Sequence, residues 1–387
     1  MKNVVYILFI FVMLFIVACS NPAMEHLNQG NAYREQGNWD DAVSSYTKAI
    51  EADPNLAVAY NDRGWIYINQ GELESALADL NKAIELNPAL AEAYLYRGAA
   101  YEINEQWDQA LTDLNKAIAL NPGLAEAYNK RASLYLAQNK GELAMADLTK
   151  SIELDPKLAE AYRSRGSAYA LIEKWDLALA DLNKAIELDP TSALAYNNRG
   201  WVYASQRQWD AAIADLSRAI ELEPNYPDAY INLAKAYKER GSIYGQKGQW
   251  DLAIADLNKA IELNPDSADS YYNRGSAYNA QEKWDLAIAD FTKAIEVDPN
   301  DYMAYNNRGY AYVAQDLKQA PMAIADYTKA IELNPDYDRA YYNRAHIFYI
   351  YDQKELAIAD LQQAIGLSND PDLIQAAEQK LRQMQSR

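Results

Sequence analysis

The chain has 387 residues, enough for two or three globular domains or one long array of small units. Half of the residues are hydrophobic and 24% are charged, which excludes a mostly disordered chain. A formal charge of -19 without any basic block argues against nucleic acid and anionic lipid surfaces as partners; a single cysteine excludes an intramolecular disulfide, and His26 and His346 cannot by themselves build a zinc site.

The first element is the leader. Lys2 is the sole charge before fifteen apolar residues, Val4 to Ala18. A helix of that length rises only about 22 Å, short of a hydrocarbon core of roughly 30 Å, so the segment reads as an export signal rather than a stable span. Ile16-Val17-Ala18-Cys19 resembles the lipobox of bacterial lipoproteins, in which a small residue precedes a cysteine that is acylated and becomes the mature N-terminus. That resemblance implies a signal peptide over 1–18, lipid attachment at Cys19, a tether over 19–22 and an extracytoplasmic place in a bacterial envelope. Ser20 after the cysteine resembles the pattern sent to the outer membrane where a cell has two. The alternative is an ordinary secretory signal, or an uncleaved anchor, with an accidental cysteine.

The next feature is a period. Prolines stand at Pro54, Pro88, Pro122, Pro156, Pro190 and Pro224, each thirty-four apart, then at Pro265, Pro299, Pro335 and Pro371 after steps of 41, 34, 36 and 36. Most follow Asn or Asp at the end of an amphipathic run such as Lys82 to Pro88, where proline stops a helix. Within the unit Ala91 to Leu124, the residues Tyr94, Gly98 and Tyr101 recur at helical spacing. Asn104-Glu105-Gln106 breaks the pattern, and Trp107, Ala110, Leu114 and Ala117 begin a second stripe. Two antiparallel helices are predicted, brought close where Gly98 and Ala110 lack bulk.

These residues resemble the tetratricopeptide repeat, a helix-turn-helix unit that stacks into a superhelix. The resemblance implies an all-α fold, a right-handed α-solenoid of about ten antiparallel hairpins over 23–373, with a capping helix that begins at Pro371 and fills 374–387. The step of 41 predicts a first helix two turns longer in the seventh unit. The steps of 36 predict longer turns near Asp316 to Pro321 and Gly366 to Asp370.

Counted from the start of each unit, the seventh place reads Arg63, Arg97, Arg131, Arg165, Arg199, Arg240, Arg274, Arg308 and Arg344. The twenty-third place reads Asp79, Asp113, Asp147, Asp181, Asp215, Asp256, Asp290, Asp326 and Asp360, allowing for the longer ninth turn. Unit one has Gln29 and Ser45 at these places. Joint absence in one unit predicts that each arginine, Arg199 with Asp215 or Arg274 with Asp290 for example, bridges to its own second helix as a structural pair rather than a catalytic site.

In the family that the repeats resemble, first helices line a concave groove. That resemblance implies partner contacts from Trp65 and Trp201 and, in units eight to ten, from Tyr272, Asn279, Asn306, Tyr310, Tyr342, His346 and Tyr349. Asn61 and Asn197 are amide neighbours of the same kind, and aromatic area with amides suits an extended peptide; packing against the next helix or the terminal helix is the alternative. Trp39, Trp107, Trp175, Trp209, Trp250 and Trp284, at the seventeenth place, read as packing residues. Arg163 and Lys238 stand at the fifth place, but Ser167 and Ser242 follow at the ninth, so a basic clamp for a C-terminal carboxylate is not expected. No phosphate loop, Ser/His/Asp set or metal spacing departs from the repeat, so neither catalysis, metal nor cofactor is expected. The reading is a membrane-anchored scaffold for protein or peptide segments, more basic than acidic, in envelope assembly or secretion. A lipoprotein that binds cell-wall glycan or peptidoglycan is the alternative.

Overall fold

The computed structural model describes residues 21–385; the segment 1–18 expected to be a signal peptide, and Cys19, lie outside the described residues. Among the described residues every element is helical, and the chain divides after Pro190 into two compact units. The first holds five hairpins: α1 (Pro22–Glu35) with α2 (Trp39–Ala52), α3 (Ala57–Gln70) with α4 (Leu73–Leu86), α5 (Ala91–Ile103) with α6 (Trp107–Leu120), α7 (Ala125–Ala137) with α8 (Gly141–Leu154), and α9 (Ala159–Leu171) with α10 (Trp175–Leu188). The second holds five more: α11 (Ala193–Ser205) with α12 (Trp209–Leu222), α13 (Pro227–Gln246) with α14 (Trp250–Leu263), α15 (Ala268–Ala280) with α16 (Trp284–Val297), α17 (Tyr302–Gln315) with α18 (Ala320–Leu333), and α19 (Asp338–Ile350) with α20 (Lys354–Leu367). Helix α21 (Pro371–Gln385) follows and packs on α20.

Each hairpin is closed by the same small set of contacts. The eighth place is glycine in most hairpins, and the residue facing it on the second helix is large and buried: Leu216 opposite Gly200, Phe291 opposite Gly275, Tyr46 opposite Gly30. A Cβ at Gly200 would lie 2.7 Å from Leu216 Cγ, so the two helices cross closer than any other residue permits there. Alanines such as Ala76, Ala110 and Ala212 are fully buried on the second helix and complete the close approach.

The turns follow from local chemistry. Inside every hairpin but the ninth the first helix ends at a left-handed residue, Gly71 or Glu105 for instance, and the next N–H reaches back to the carbonyl five residues earlier, as Gln106 does to Tyr101 at 2.8 Å. Between hairpins the Asn or Asp before proline accepts from the N–H two residues on, as Asn87 does from Ala89 at 3.1 Å, while proline cannot continue the helix.

Departures from the period fall where the spacing puts them. Helix α13 runs unbroken for 20 residues, two turns longer than the 13 of α11. The ninth hairpin absorbs its two extra residues in a 3₁₀ turn at Leu317–Gln319, and the tenth in the link before Pro371.

Candidate partner-binding surface

All nine arginines of the seventh place make a two-pronged contact with the aspartate of their own second helix. Arg199 donates from Nε and Nη2 to Asp215 at 2.6 and 2.7 Å, and Arg274 does so to Asp290 at 2.8 and 2.7 Å. The same geometry holds at Arg63, Arg97, Arg131, Arg165, Arg240, Arg308 and Arg344. Each guanidinium also lies between two rings of its own helix, Tyr196 and Tyr203 around Arg199 at 5.6 and 5.9 Å. Hydrogen bonding to Asp215 pushes the Arg199 pKa up against the opposing effect of burial.

The pair does more than close one hairpin. The remaining guanidinium nitrogen reaches the preceding hairpin: Arg97 donates to Asn81 at 2.7 Å, Arg131 to Asn115 at 2.7 Å, Arg274 to Asn258 at 2.6 Å and Arg344 to Thr328 at 3.0 Å. Within the long helix α13 the partner changes, and Arg240 donates to Asp210. One planar fork therefore fixes both the crossing and the stacking, which a lysine could not do.

The surface left over is uneven. Trp65 packs with Trp39 at 5.5 Å and Tyr96 at 6.4 Å, beneath the Arg34 guanidinium at 5.6 Å, and Arg34 also pairs with Asp62 at 3.5 Å. Trp65 is thus part of a filled aromatic stack. Trp201 has 37% of its surface exposed.

In the second unit, the first helices of hairpins nine and ten and helix α21 surround a cavity of about 360 Å³. Asn306, Tyr310 and Tyr342 line it, together with Asn307, Tyr337, Arg339 and Asn343. Tyr310 is 48% exposed and meets Trp284 edge-on at 6.2 Å. Burial pushes the Tyr337 phenol up to about 12, so it stays a neutral hydrogen-bond donor at physiological pH. The cavity leaves out Tyr272, Asn279, His346 and Tyr349.

The reasons are physical. The Tyr272 hydroxyl accepts from Asn307 at 3.1 Å and its ring packs on Phe291 at 5.9 Å. Asn279 buries its carbonyl oxygen. His346 and Tyr349 are held by the terminal helix, which also covers one face of the cavity-lining Tyr342: Lys380 sits 4.9 Å above the Tyr342 ring and 2.5 Å from His346 Nδ1, while Tyr349 joins the apolar cluster of Ala377 and Met384. Asn306 and Asn197 are almost buried and spend their amides as braces; Asn306 donates to Asn307 and accepts from Asn343, and Asn197 accepts from Asn232. The open part of the groove is therefore narrower than the sequence suggests.

A second feature escaped sequence reading because every hairpin carries acids. In the first unit Lys130 pairs with Glu160 at 3.1 Å, and Glu102 and Glu126 lie close enough to act on its charge. Burial pushes the carboxyls of Glu102 and Glu126 up, partly offset by Lys130. Lys130 serves three carboxylates on first helices α5, α7 and α9, and Arg163 also lies 3.7 Å from Glu160.

Among the described residues no cluster of His, Cys, Asp and Glu fits a metal ion, and no helix is long and apolar enough to cross a membrane. What the fold and its repeated pair define is an α-helical repeat scaffold of the protein-interaction type. Sequence patterns described as tetratricopeptide repeat match residues 27–91, 91–124, 125–158, 171–207, 200–241, 241–281, 268–301, 291–325, 317–350 and 338–371. The chain belongs to the tetratricopeptide repeat family. It is similar in fold to the C-terminal part of a repeat-containing protein from Cytophaga hutchinsonii, with TM-score 0.50 and 24% identity over 63% of this chain and 97% of that one. It is also similar to YrrB, described as a TPR protein with an unusual peptide-binding site, at 29% identity and TM-score 0.35 over 48% of this chain and 95% of that one. MamA is 32% identical, with TM-score 0.35 over 42% of this chain and 94% of that one. No curated protein matches the chain.

Proposed function

We propose that the protein is a non-enzymatic scaffold, held on the outer face of a bacterial envelope membrane by lipid on Cys19, that grips an extended polypeptide along its first helices. The observation that carries the reading is the cavity of about 360 Å³ in which Tyr310, Tyr337 and Tyr342 meet Arg339 and the Asn307 and Asn343 amides. Rigid rings supply area at low entropic cost, and amides meet a main chain whatever its side chains. The partner is net basic: the chain carries -19, and a cation near Glu102 and Glu126 relieves carboxylates that burial already disfavours. Such association weakens as salt rises.

Two experiments test the two halves separately. A photoreactive residue at Tyr310 in intact cells is expected to capture a polypeptide; capture from Trp201 alone moves the site, and capture of glycan alone overturns the reading. Metabolic labelling with an alkynyl fatty acid is expected to tag the wild-type chain and not Cys19→Ser. Equal labelling, or recovery of the wild type from the cytosol, contradicts the anchor.

A further inference from the structure

The seventeenth place opens the second helix of each hairpin, and tryptophan fills it in six of ten. The indole there spans two hairpins. Trp250 reaches the twelfth place of its own hairpin, 3.8 Å from the position of a Cβ on Gly245, while Trp39 and Trp284 meet the ninth place of the next hairpin at Trp65 and Tyr310. In hairpin two the place holds apolar Leu73, and in hairpin nine Ala320, which is fully buried.

Hairpin four has Gly141 there. Nothing lies within 4 Å of the position its Cβ would take, and its backbone carries no positive φ. The walls that an indole would touch are nonetheless in place. Leu136 stands at the twelfth place, Met145 lies one turn into α8, and Ala168, Leu171 and Ile172 come from the next hairpin. Together they enclose about 650 Å³, within the range of small-molecule sites, and Asn139 and Glu142 stand at its edge. Leu171 and Ile172 are 71% and 55% exposed, so the missing ring leaves apolar surface in water.

We propose that this cavity is a docking site for a tryptophan side chain carried by a partner polypeptide. The partner supplies from outside the indole that sister hairpins carry within the chain. Tryptophan fits better than phenylalanine because Asn139 and Glu142 offer oxygen acceptors for one ring N–H. A single buried tryptophan is also the side chain most able to anchor an interface. The site belongs to the first unit and does not depend on the cavity at Tyr310, so Tyr310→Ala is expected to leave it unchanged.

The test uses the full chain with methyl-labelled methionine, following Met145 by NMR while N-acetyltryptophanamide is added. A saturable Met145 shift is expected in the wild type and in Gly141→Ala. It is expected to vanish in Gly141→Trp, whose melting temperature should rise as the gap is filled. Leu171→Asn, at an exposed position that puts little folding at risk, is expected to weaken binding about tenfold. A short peptide with one central tryptophan should bind about tenfold tighter than the amide, from the added main-chain contacts. Absence of a saturable shift in the wild type, or its persistence in Gly141→Trp, overturns the site. Equal affinity for amide and peptide assigns the cavity to a free small molecule and overturns the partner. A Met145 shift that grows with protein concentration alone and disappears in Trp107→Ala assigns it to a second copy, and overturns the partner likewise.

Discussion

The first and sixth hairpins make the same helix crossing by different means. In the sixth, Leu216 lies over Gly200 while Arg199 and Asp215 pair between Tyr196 and Tyr203. In the first, Tyr46 takes the place of the leucine, its ring over Gly30 and its hydroxyl donating to Asn31 at 2.8 Å; Gln29 and Ser45 stand where the ion pair would be. The crossing therefore rests on a residue without a side chain facing a large buried one. The ion pair is an addition, and the third hydrogen bond that Arg97, Arg131, Arg274 and Arg344 make shows what it adds elsewhere in the chain: a tie to the preceding hairpin.

The largest expected effect separates these two contributions. Arg199→Leu leaves Asp215 nearly buried without its partner and is expected to cost about 3 to 5 kcal/mol in thermal or denaturant unfolding. The double variant Arg199→Leu with Asp215→Leu should lose less than either single one. Equal or greater loss in the double variant would mean that the two side chains do not act as a pair.

Gly200→Ala comes next, at about 1 to 3 kcal/mol, because the new methyl meets Leu216 and the Ala212 carbonyl. Hairpins four and ten already carry Ala132 and Ala345 at this place, so Ala132→Gly should change stability less. If both substitutions have the same magnitude, close approach does not set the crossing. Tyr46→Phe in the first hairpin removes one hydrogen bond and keeps the ring, a loss of about 1 kcal/mol. A loss as large as that of Arg199→Leu would show that the hydroxyl replaces the ion pair rather than the packing.

The smallest effect is a pH dependence at the terminal helix. Burial, and then the Lys380 charge, hold His346 below its ordinary pKa of about 6.5. A basic group lowered by folding resists protonation in the folded state, so the contact is intact above that ordinary value and weakens as pH falls through it and below. Amide protection in residues 377–384 of α21, taken relative to the intrinsic exchange rate at each pH, is expected to fall between about pH 7 and 5. His346→Gln should remove the dependence; an unchanged dependence assigns it to another group.

Much of the fold is legible in the sequence because the period is repeated. The proline steps give hairpin number and length, and the step of 41 places the long helix α13. The surface is less legible, since spacing assigns a residue to a face without saying what covers that face. Tyr342, His346 and Tyr349 stand at groove places, yet α21 lies against them, which no repeat period encodes. Asn306 and Asn197 look free to meet a ligand, but their amides reach asparagines thirty-five or more residues away. The clustering of Glu102, Glu126 and Glu160 around Lys130 is hidden for the opposite reason, since single acids occur throughout. Gly141 is visible in the sequence as an exception to tryptophan, but only the surrounding walls make it a cavity.

The central claim, that the first helices of hairpins nine and ten hold a polypeptide, is tested most directly by calorimetric titration. The segment crosslinked from Tyr310 is synthesised and titrated into wild type, Tyr310→Ala and, as an exposed aromatic outside the cavity lining, Tyr351→Ala. Tyr310→Ala should weaken binding about tenfold or more while Tyr351→Ala binds as the wild type does. Equal affinity in all three proteins would contradict the account.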